Sequence, residues 1–327
     1  MKAVVTGSSG HLGEALMRTL QAQGRDVLGL DLRPGRFTAA TGSITDRTFV
    51  RRCLAGASTV FHTATLHKPH VATHSREDFV STNVTGTLLL LEEARRAGVE
   101  SFIFTSTTST FGDALQPPAG APAAWITEDV TPVPKNIYGA TKVAAEDLCQ
   151  EFNRNEQLPC LVLRTSRFFP EEDDNRVVRS AFTDENLKIN EFLHRRVELE
   201  DVVGAHLRAA EAAPSLRFGR YIISATTPFA AADCVVLRTD PAAVVRRLVP
   251  EYEAEYSKRG WKMNASLDRV YVNDRARRDL RWQPKYDFRS LLSLLRSGAP
   301  TQSDLTRHVG SKGYHDETFT DGPYPVA

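Results

Sequence analysis

Tyr138 and Lys142, in Tyr138-Gly139-Ala140-Thr141-Lys142, stand four residues apart, which brings a phenol and an ammonium to one face of a helix. A free tyrosine has a pKa of about 10, too high for a base at neutral pH, and a neighbouring cation lowers it by stabilising the phenolate. Such a pair can take a proton from a carbinol, or return it, while a hydride moves to nicotinamide. The same spacing also arises by chance on solvated helix faces, so the pair gains meaning from what precedes it. Thr6-Gly7-Ser8-Ser9-Gly10-His11-Leu12-Gly13 follows a short apolar run and opens a helical pattern. Glycines there let the backbone turn tightly and approach a pyrophosphate seated on the helix N-terminus. A plain strand–helix turn also uses glycine. What separates the two is an acid closing the next apolar run, Asp31 in Val27-Leu28-Gly29-Leu30-Asp31. A carboxylate there accepts hydrogen bonds from the adenosine ribose and repels a 2′-phosphate, so NAD is the cofactor expected. Arg33 and Arg36 close by keep NADP open as the second reading.

The elements that must hold these residues read as an alternation. Ala3–Val5, Val27–Leu30, Thr59–Phe61, Phe102–Phe104 and Leu161–Leu163 are short apolar runs of the kind found in strands buried on both faces. Helical patterns lie between them at Leu12–Gln23, Arg47–Leu54, Asp78–Ala97 and Tyr138–Asn153, the third stopped by Gly98. Strand–helix alternation implies an α/β fold with a doubly wound parallel sheet of Rossmann type. A loop rich in proline (Pro117, Pro118, Pro122, Pro132, Pro134) precedes the Tyr138 helix. A helix over Asp201–Ala213 and a strand at Tyr221–Ile223 return to the sheet; from Pro228 onward the pattern is irregular, apart from a helix at Phe288–Leu295 and a polar tail. The division expected is a dinucleotide domain over 1–166, completed by about 197–226, and a smaller, discontinuous substrate lobe from 167–196 and 227–327.

Composition narrows the function classes. The 327 residues carry 41 basic and 40 acidic side chains, a net charge of +1, which argues against a nucleic-acid binder. No apolar run reaches the roughly 18 residues that a membrane span needs. The sequence enters its first motif directly after Met1, with no apolar leader, and Cys53, Cys149, Cys160 and Cys234 show no metal spacing. Reduced thiols in a cytoplasmic protein are the expectation.

Together these motifs resemble the extended short-chain dehydrogenase/reductase family, in its branch of NAD-dependent epimerases and dehydratases, over about residues 1–225. The resemblance implies that Gly7, Ser9, Gly10, His11, Leu12 and Gly13 form the cofactor turn. It implies that Tyr138 is the catalytic base and that Lys142 lowers its pKa and anchors the nicotinamide ribose. Thr105-Ser106-Thr107-Thr108-Ser109-Thr110-Phe111-Gly112 is similar to the family's Ser/Thr segment. Aligning its Phe-Gly end puts Thr107 at the catalytic hydroxyl, with Ser106 the alternative one residue away and Thr108 also facing substrate. Asn83-Val84-Thr85-Gly86-Thr87 and His62-Thr63-Ala64 match further family segments, which implies cofactor roles for Asn83 and Ala64. Three departures bear on substrate. Thr108-Ser109 replaces the Asp-Glu of dehydratases, which argues against dehydration. Arg167 stands where nucleotide-sugar enzymes usually have Asn, and the stretch Phe168–Glu198 is short for a nucleotide site. Gly42-Ser43 also replaces a frequent Gly-Asp beside the adenine.

His62, His67, His70 and His74 cluster after the apolar run Thr59–Phe61, beside Lys68. Imidazoles bind zinc and similar ions. No carboxylate or cysteine completes a ligand spacing, so the expectation is no metal, with His67, Lys68 and Arg167 contacting a hydroxylated or anionic substrate. The expected activity is hydride transfer from a carbinol of a small polyhydroxylated substrate, a sugar or sugar acid, to NAD. A nucleotide-sugar epimerase is the alternative, and a non-catalytic dinucleotide sensor is the alternative of another class. The resemblance also implies a homodimer formed through the helices Asp78–Ala97 and Tyr138–Asn153.

Overall fold

The computed structural model describes residues 2–313, 315, 319 and 322, so most of the polar tail lies outside the described residues. Its nine strands are β1 (Lys2–Thr6), β2 (Val27–Asp31), β3 (Ala40–Thr41), β4 (Ala57–His62), β5 (Ser101–Thr107), β6 (Ala124–Ile126), β7 (Cys160–Thr165), β8 (Phe218–Ile223) and β9 (Arg269–Tyr271). Seven of them form one parallel sheet in the order β3-β2-β1-β4-β5-β7-β8. The inner strands β1, β5 and β7 are almost wholly buried, as helices on both faces require. One apolar cluster packs the helices His11–Ala22 and Leu199–Leu216 on one face, and a second packs Arg47–Leu54, Gly86–Ala97 and Ile137–Glu156 on the other.

The strand order runs outward in opposite directions from the neighbouring strands β1 and β4. A crevice opens outside the carboxyl ends of such strands, where doubly wound folds bind ligands. Thr6 and His62 end β1 and β4 in register, with Thr6 Oγ1 and His62 Nδ1 2.8 Å apart and His62 Nε2 2.9 Å from Thr87 Oγ1. With both ring nitrogens engaged and burial pushing its pKa well below the usual value, His62 is a neutral strut in the crevice floor.

Two expectations need correcting. Asp78–Ala97 is not one regular helix: Arg76–Phe79 and Gly86–Ala97 flank a widened π-helical stretch, Val80–Thr85, in which Asn83 faces inward and is held by four hydrogen bonds. The region after Pro228 is helical rather than irregular, with helices at Cys234–Leu237, Pro241–Leu248, Tyr252–Arg259, Asp274–Asp279 and Asp304–Val309. Their capping signals are in the sequence, Asp240 before Pro241 and Gly260 after Arg259, but the helices are too short for periodicity to stand out. Ala276 and Val309, of the last two, join the cluster under the helix His11–Ala22, whereas Cys234–Leu237, Pro241–Leu248 and Tyr252–Arg259 build an apolar cluster of their own with Ala123, Phe192 and Leu193. Beside it, β6 leaves the proline-rich loop to pair in parallel with β9.

Candidate active site

A cavity of about 850 Å³ runs along the crevice, from Asp31, Gly42 and Ser43 at one end to Arg195, Arg269 and Tyr271 at the other. Its first wall is the glycine turn. Gly7 has φ +73°, and its N–H and that of Ser8 donate to the Leu30 carbonyl at 2.8 and 3.2 Å, tying the turn to β2. A Cβ on Gly13 would lie 1.8 Å from the Gly7 carbonyl oxygen, so only glycine lets the helix His11–Ala22 sit this close to the turn. Gly10 differs: a Cβ there would meet only the Gly7 oxygen, at 3.4 Å. Its open side is room along the cavity wall. As the N-cap, Gly10 also offers no side chain to the first-turn N–H groups, which leaves them for an anion. The residues present therefore fit the pyrophosphate of a dinucleotide.

Asp31 ends β2 at the cavity rim. Its Oδ2 accepts from Ser9 N at 3.0 Å and its Oδ1 from Arg33 N at 2.9 Å, which leaves each oxygen a further lone pair for a ribose hydroxyl. Like charges in a partly dry site repel strongly, so NADP is expected to bind at least about tenfold more weakly than NAD. Titrating both oxidised cofactors against protein fluorescence checks this, and equal affinities would show that Arg33 or Arg36 governs the pocket. Leu12 and Ala64 line the same cavity, as do Ser43 and Ile44, so the Gly42-Ser43 departure falls on its wall.

At the middle of the cavity stand Thr107, at the end of β5, and Tyr138, one residue into the helix Ile137–Glu156. Asn136 caps that helix by accepting from Gly139 N at 3.1 Å. A bridge between Gly112 and Val133 draws the proline-rich loop back to the Ser/Thr segment and so sets the helix beside β5. The Thr107 hydroxyl stands beside the Tyr138 phenol. Burial pushes that phenol up to about 12, and the neighbouring Thr107 hydroxyl opposes the rise. Lys142 is fully buried, with Nζ donating to the Thr105 carbonyl at 2.6 Å and lying 4.0 Å from the centre of the Phe104 ring. Burial lowers its pKa to about 7, opposed by Glu146 one turn later. The Thr107 hydroxyl opposes the rise of the Tyr138 phenol, and the charge of Lys142 adds to the lowering of the His62 pKa.

The other sequence candidates divide. Thr108 lines the cavity, as do Thr107 and Tyr138. Ser106 also lines the cavity, but its hydroxyl donates to buried Glu146 at 2.5 Å, on the opposite side of β5 from Thr107, as strand alternation dictates. Asn83 is a brace: its Nδ2 donates to the Leu66 carbonyl and Thr141 Oγ1, and its Oδ1 accepts from Thr65 Oγ1 and Leu66 N. It holds the loop after β4 against the Tyr138 helix, and Thr65 and Leu66, not Asn83, reach the cavity. Arg167 lines the cavity but its guanidinium pairs with Asp173 at 2.5 Å and Glu191 at 3.3 Å; Lys68 pairs with Asp174. The ring of His67 stands 6.5 Å from that of Tyr138 and 5.6 Å from that of Phe169, and burial holds its pKa well below the usual value. His67, His70 and His74 meet edge to face, and among the described residues no three His, Cys, Asp or Glu side chains are grouped to hold a metal.

Sequence reasoning missed Arg195, Arg269 and Tyr271. Arg269 and Tyr271 reach the cavity only because β9 pairs with β6, a contact between segments some 145 residues apart that no local signal announces. Glu191, fully buried, carries Arg195, Arg196 and Arg167 around one carboxylate. Burial opposes its charge, but these three guanidiniums hold it far below the usual carboxylate range.

Known proteins are similar to this chain in sequence and in fold. A UDP-glucose 4-epimerase of Erwinia amylovora is 30% identical over 184 residues, 50% of this chain and 52% of that protein. The chain spans about half the length of this and similar curated relatives. A UDP-glucose 4-epimerase of Rhizobium leguminosarum bv. trifolii aligns at 26% identity over 88% of this chain and 94% of its own length. Among solved structures, a short-chain dehydrogenase/reductase superfamily protein of Agrobacterium tumefaciens with bound NAD superposes with a TM-score of 0.64 at 22% identity, covering 94% of this chain and 99% of its own. Among the described residues no helix is long and apolar enough to cross a membrane. The model of the NAD dependent epimerase/dehydratase family matches residues 3–217, and the chain belongs to that family.

Proposed function

We propose that the protein is an NAD-dependent enzyme that oxidises a carbinol of a small, anionic, polyhydroxylated substrate, a sugar acid before others, and that it works in the cytoplasm as a homodimer. The observation that carries the reading is the placement of the Thr107–Tyr138 pair between the glycine turn and a cationic cavity end. At that end Arg195 and Arg269 line the cavity, each also paired with a carboxylate, Glu191 and Asp268. Guanidinium groups suit bidentate recognition of a substrate carboxylate. When bound, NAD supplies the hydride acceptor at its nicotinamide ring. Thr107 holds the substrate oxygen against the Tyr138 hydroxyl, and Tyr138 takes the carbinol proton. With its phenol near 12 in this state, Tyr138 is protonated at neutral pH. Oxidation is therefore expected to quicken as pH rises. Thr108 and Ser109 provide no acid–base pair for loss of water.

A second reading, nucleotide-sugar epimerisation, is favoured by the alignment to UDP-glucose 4-epimerase along most of the chain. The first half-reaction is the same in both, and the arginines could face a diphosphate. Calorimetric titration of the NAD-loaded protein with UDP, dTDP and a panel of uronic and aldonic acids separates them. The expected result is saturable binding of a sugar acid with NADH formed and no heat from either nucleotide. Micromolar binding of UDP or dTDP would replace the first reading with the second.

A further inference from the structure

Helix Asp304–Val309 packs on the helix that follows the glycine turn, with Val309 and Leu305 in the cluster that holds Leu12, Leu16 and Leu20. Beyond Gly310, Lys312 and Gly313 line the cavity. The Ser311 hydroxyl donates to Glu171 Oε1 at 2.7 Å, and Lys312 N donates to the same oxygen at 3.1 Å. That oxygen lies 2.7 Å from Nε2 of His11, the first residue of the glycine-turn helix. Lys312 Nζ pairs with Glu14 of the same helix. Farther on, His315 Nε2 donates to the Pro69 carbonyl at 2.9 Å, its ring 5.2 Å from that of His70, and Phe319 stands edge-on to His315 at 5.1 Å. Ser311, Lys312 and His315 thus touch the glycine-turn helix, the loop after β7 and the loop after β4, which are separate banks of one cavity. Lys312, Gly313, His315 and Phe319 line that cavity together with Gly10, His11 and His67.

We propose that the segment carrying Ser311, Lys312, His315 and Phe319 is a strap across the cofactor cleft that slows the departure of bound NAD. The proposal rests on the reading of this cavity as the NAD site. The strap is fastened at a charged point. Burial opposes ionisation of Glu171, yet its bonds to His11 and Ser311 bring its pKa down to about 2, so it is a carboxylate acceptor for the strap under ordinary conditions. Neither of the Glu171 bonds made by the strap belongs to the fold's core, so they can open without unfolding the sheet. A slow exit also bears on the overall reaction. Net oxidation must release NADH at every turnover, whereas epimerisation returns the hydride and has no need of exchange.

The test measures release of labelled NAD from the full chain into excess unlabelled NAD. Variants are a chain ending at Gly310, Glu171→Gln, and the pair His315→Ala/Phe319→Ala. Truncation is expected to speed release about tenfold or more, since several hydrogen bonds and a charged pair are lost together, and each substitution severalfold. If the truncated chain does not fold, the substituted variants decide alone, with circular dichroism and the melting transition as the fold check. Release at the full-chain rate in folded variants overturns the strap while leaving NAD as cofactor. A full chain that binds no NAD overturns the reading of the cavity and the strap with it.

Discussion

Tyr138→Phe should keep the fold and NAD binding while lowering turnover by about 10²–10⁴-fold, the range a positioned acid–base group contributes. The substitution removes one oxygen from a side chain that is only 8% exposed and leaves the ring packed as before. The lost hydroxyl is the one beside Thr107. Thr107 Oγ1 keeps its bond from Ser109 N at 3.0 Å, so the Ser/Thr segment has no reason to move. The loss should therefore fall on kcat, with substrate KM and NAD affinity changing little. The rise of the oxidative rate with pH, which belongs to the phenol, should flatten in the variant. Single-turnover NADH formation at saturating NAD, across pH 6 to pH 10, measures both effects. Activity within about tenfold of wild type would remove Tyr138 from the chemistry.

The residues behind this prediction were legible in the sequence for different reasons. The glycine turn, Asp31 and the Tyr138 helix announce themselves because each is a local pattern: a turn that excludes side chains, a strand-end acid, a helical spacing. Thr107 was found by counting back from Phe111-Gly112, and the structure puts its hydroxyl, not that of Ser106, beside Tyr138. The electrostatics were not legible. Spacing alone puts Lys142 near Tyr138 on the helix, but whether the ammonium acts on the phenol depends on where Nζ is anchored, and the Thr105 carbonyl and the Phe104 ring come from another strand. Arg167 shows the same limit: its place after β7 was readable, while its pairing with Asp173 and Glu191 depends on a loop and a helix that fold back on it. The cationic end of the cavity was invisible, because β6 and β9 meet only in three dimensions.

Glu146→Ala is expected to cost about 3–5 kcal/mol of folding stability, the usual penalty for breaking a buried ion pair from one side. Glu146 lies one turn after Lys142 and is 1% exposed. It joins three neighbouring strands: it accepts from Ser106 of β5 at 2.5 Å, from Arg164 of β7 at 2.7 Å and from Arg220 of β8 at 3.1 Å. Without it the Arg164 guanidinium, 3% exposed and with one Nη lacking a partner among the described residues, is left charged against the Phe111 ring. Urea midpoints measure the loss, and a shift equivalent to less than about 1 kcal/mol would show that water or a neighbour takes over the pairing. If the unpaired charge is the cause, Glu146→Leu combined with Arg164→Met should recover much of the stability, because a buried pair replaced whole by apolar groups costs little. The consequences also reach the site. Ser106, tied to Glu146, is the residue before Thr107, and adjacent residues of a strand face opposite ways, so fixing one hydroxyl behind the sheet fixes the other toward the cavity. Glu146 also supports the Lys142 ammonium, whose pKa burial has already brought down to about 7. In folded Glu146→Gln protein that pKa should fall further, so Lys142 loses its charge at a lower pH than in the wild type. An NMR titration following the Lys142 ammonium gives this directly. An unchanged pKa would confine Glu146 to holding the strands together.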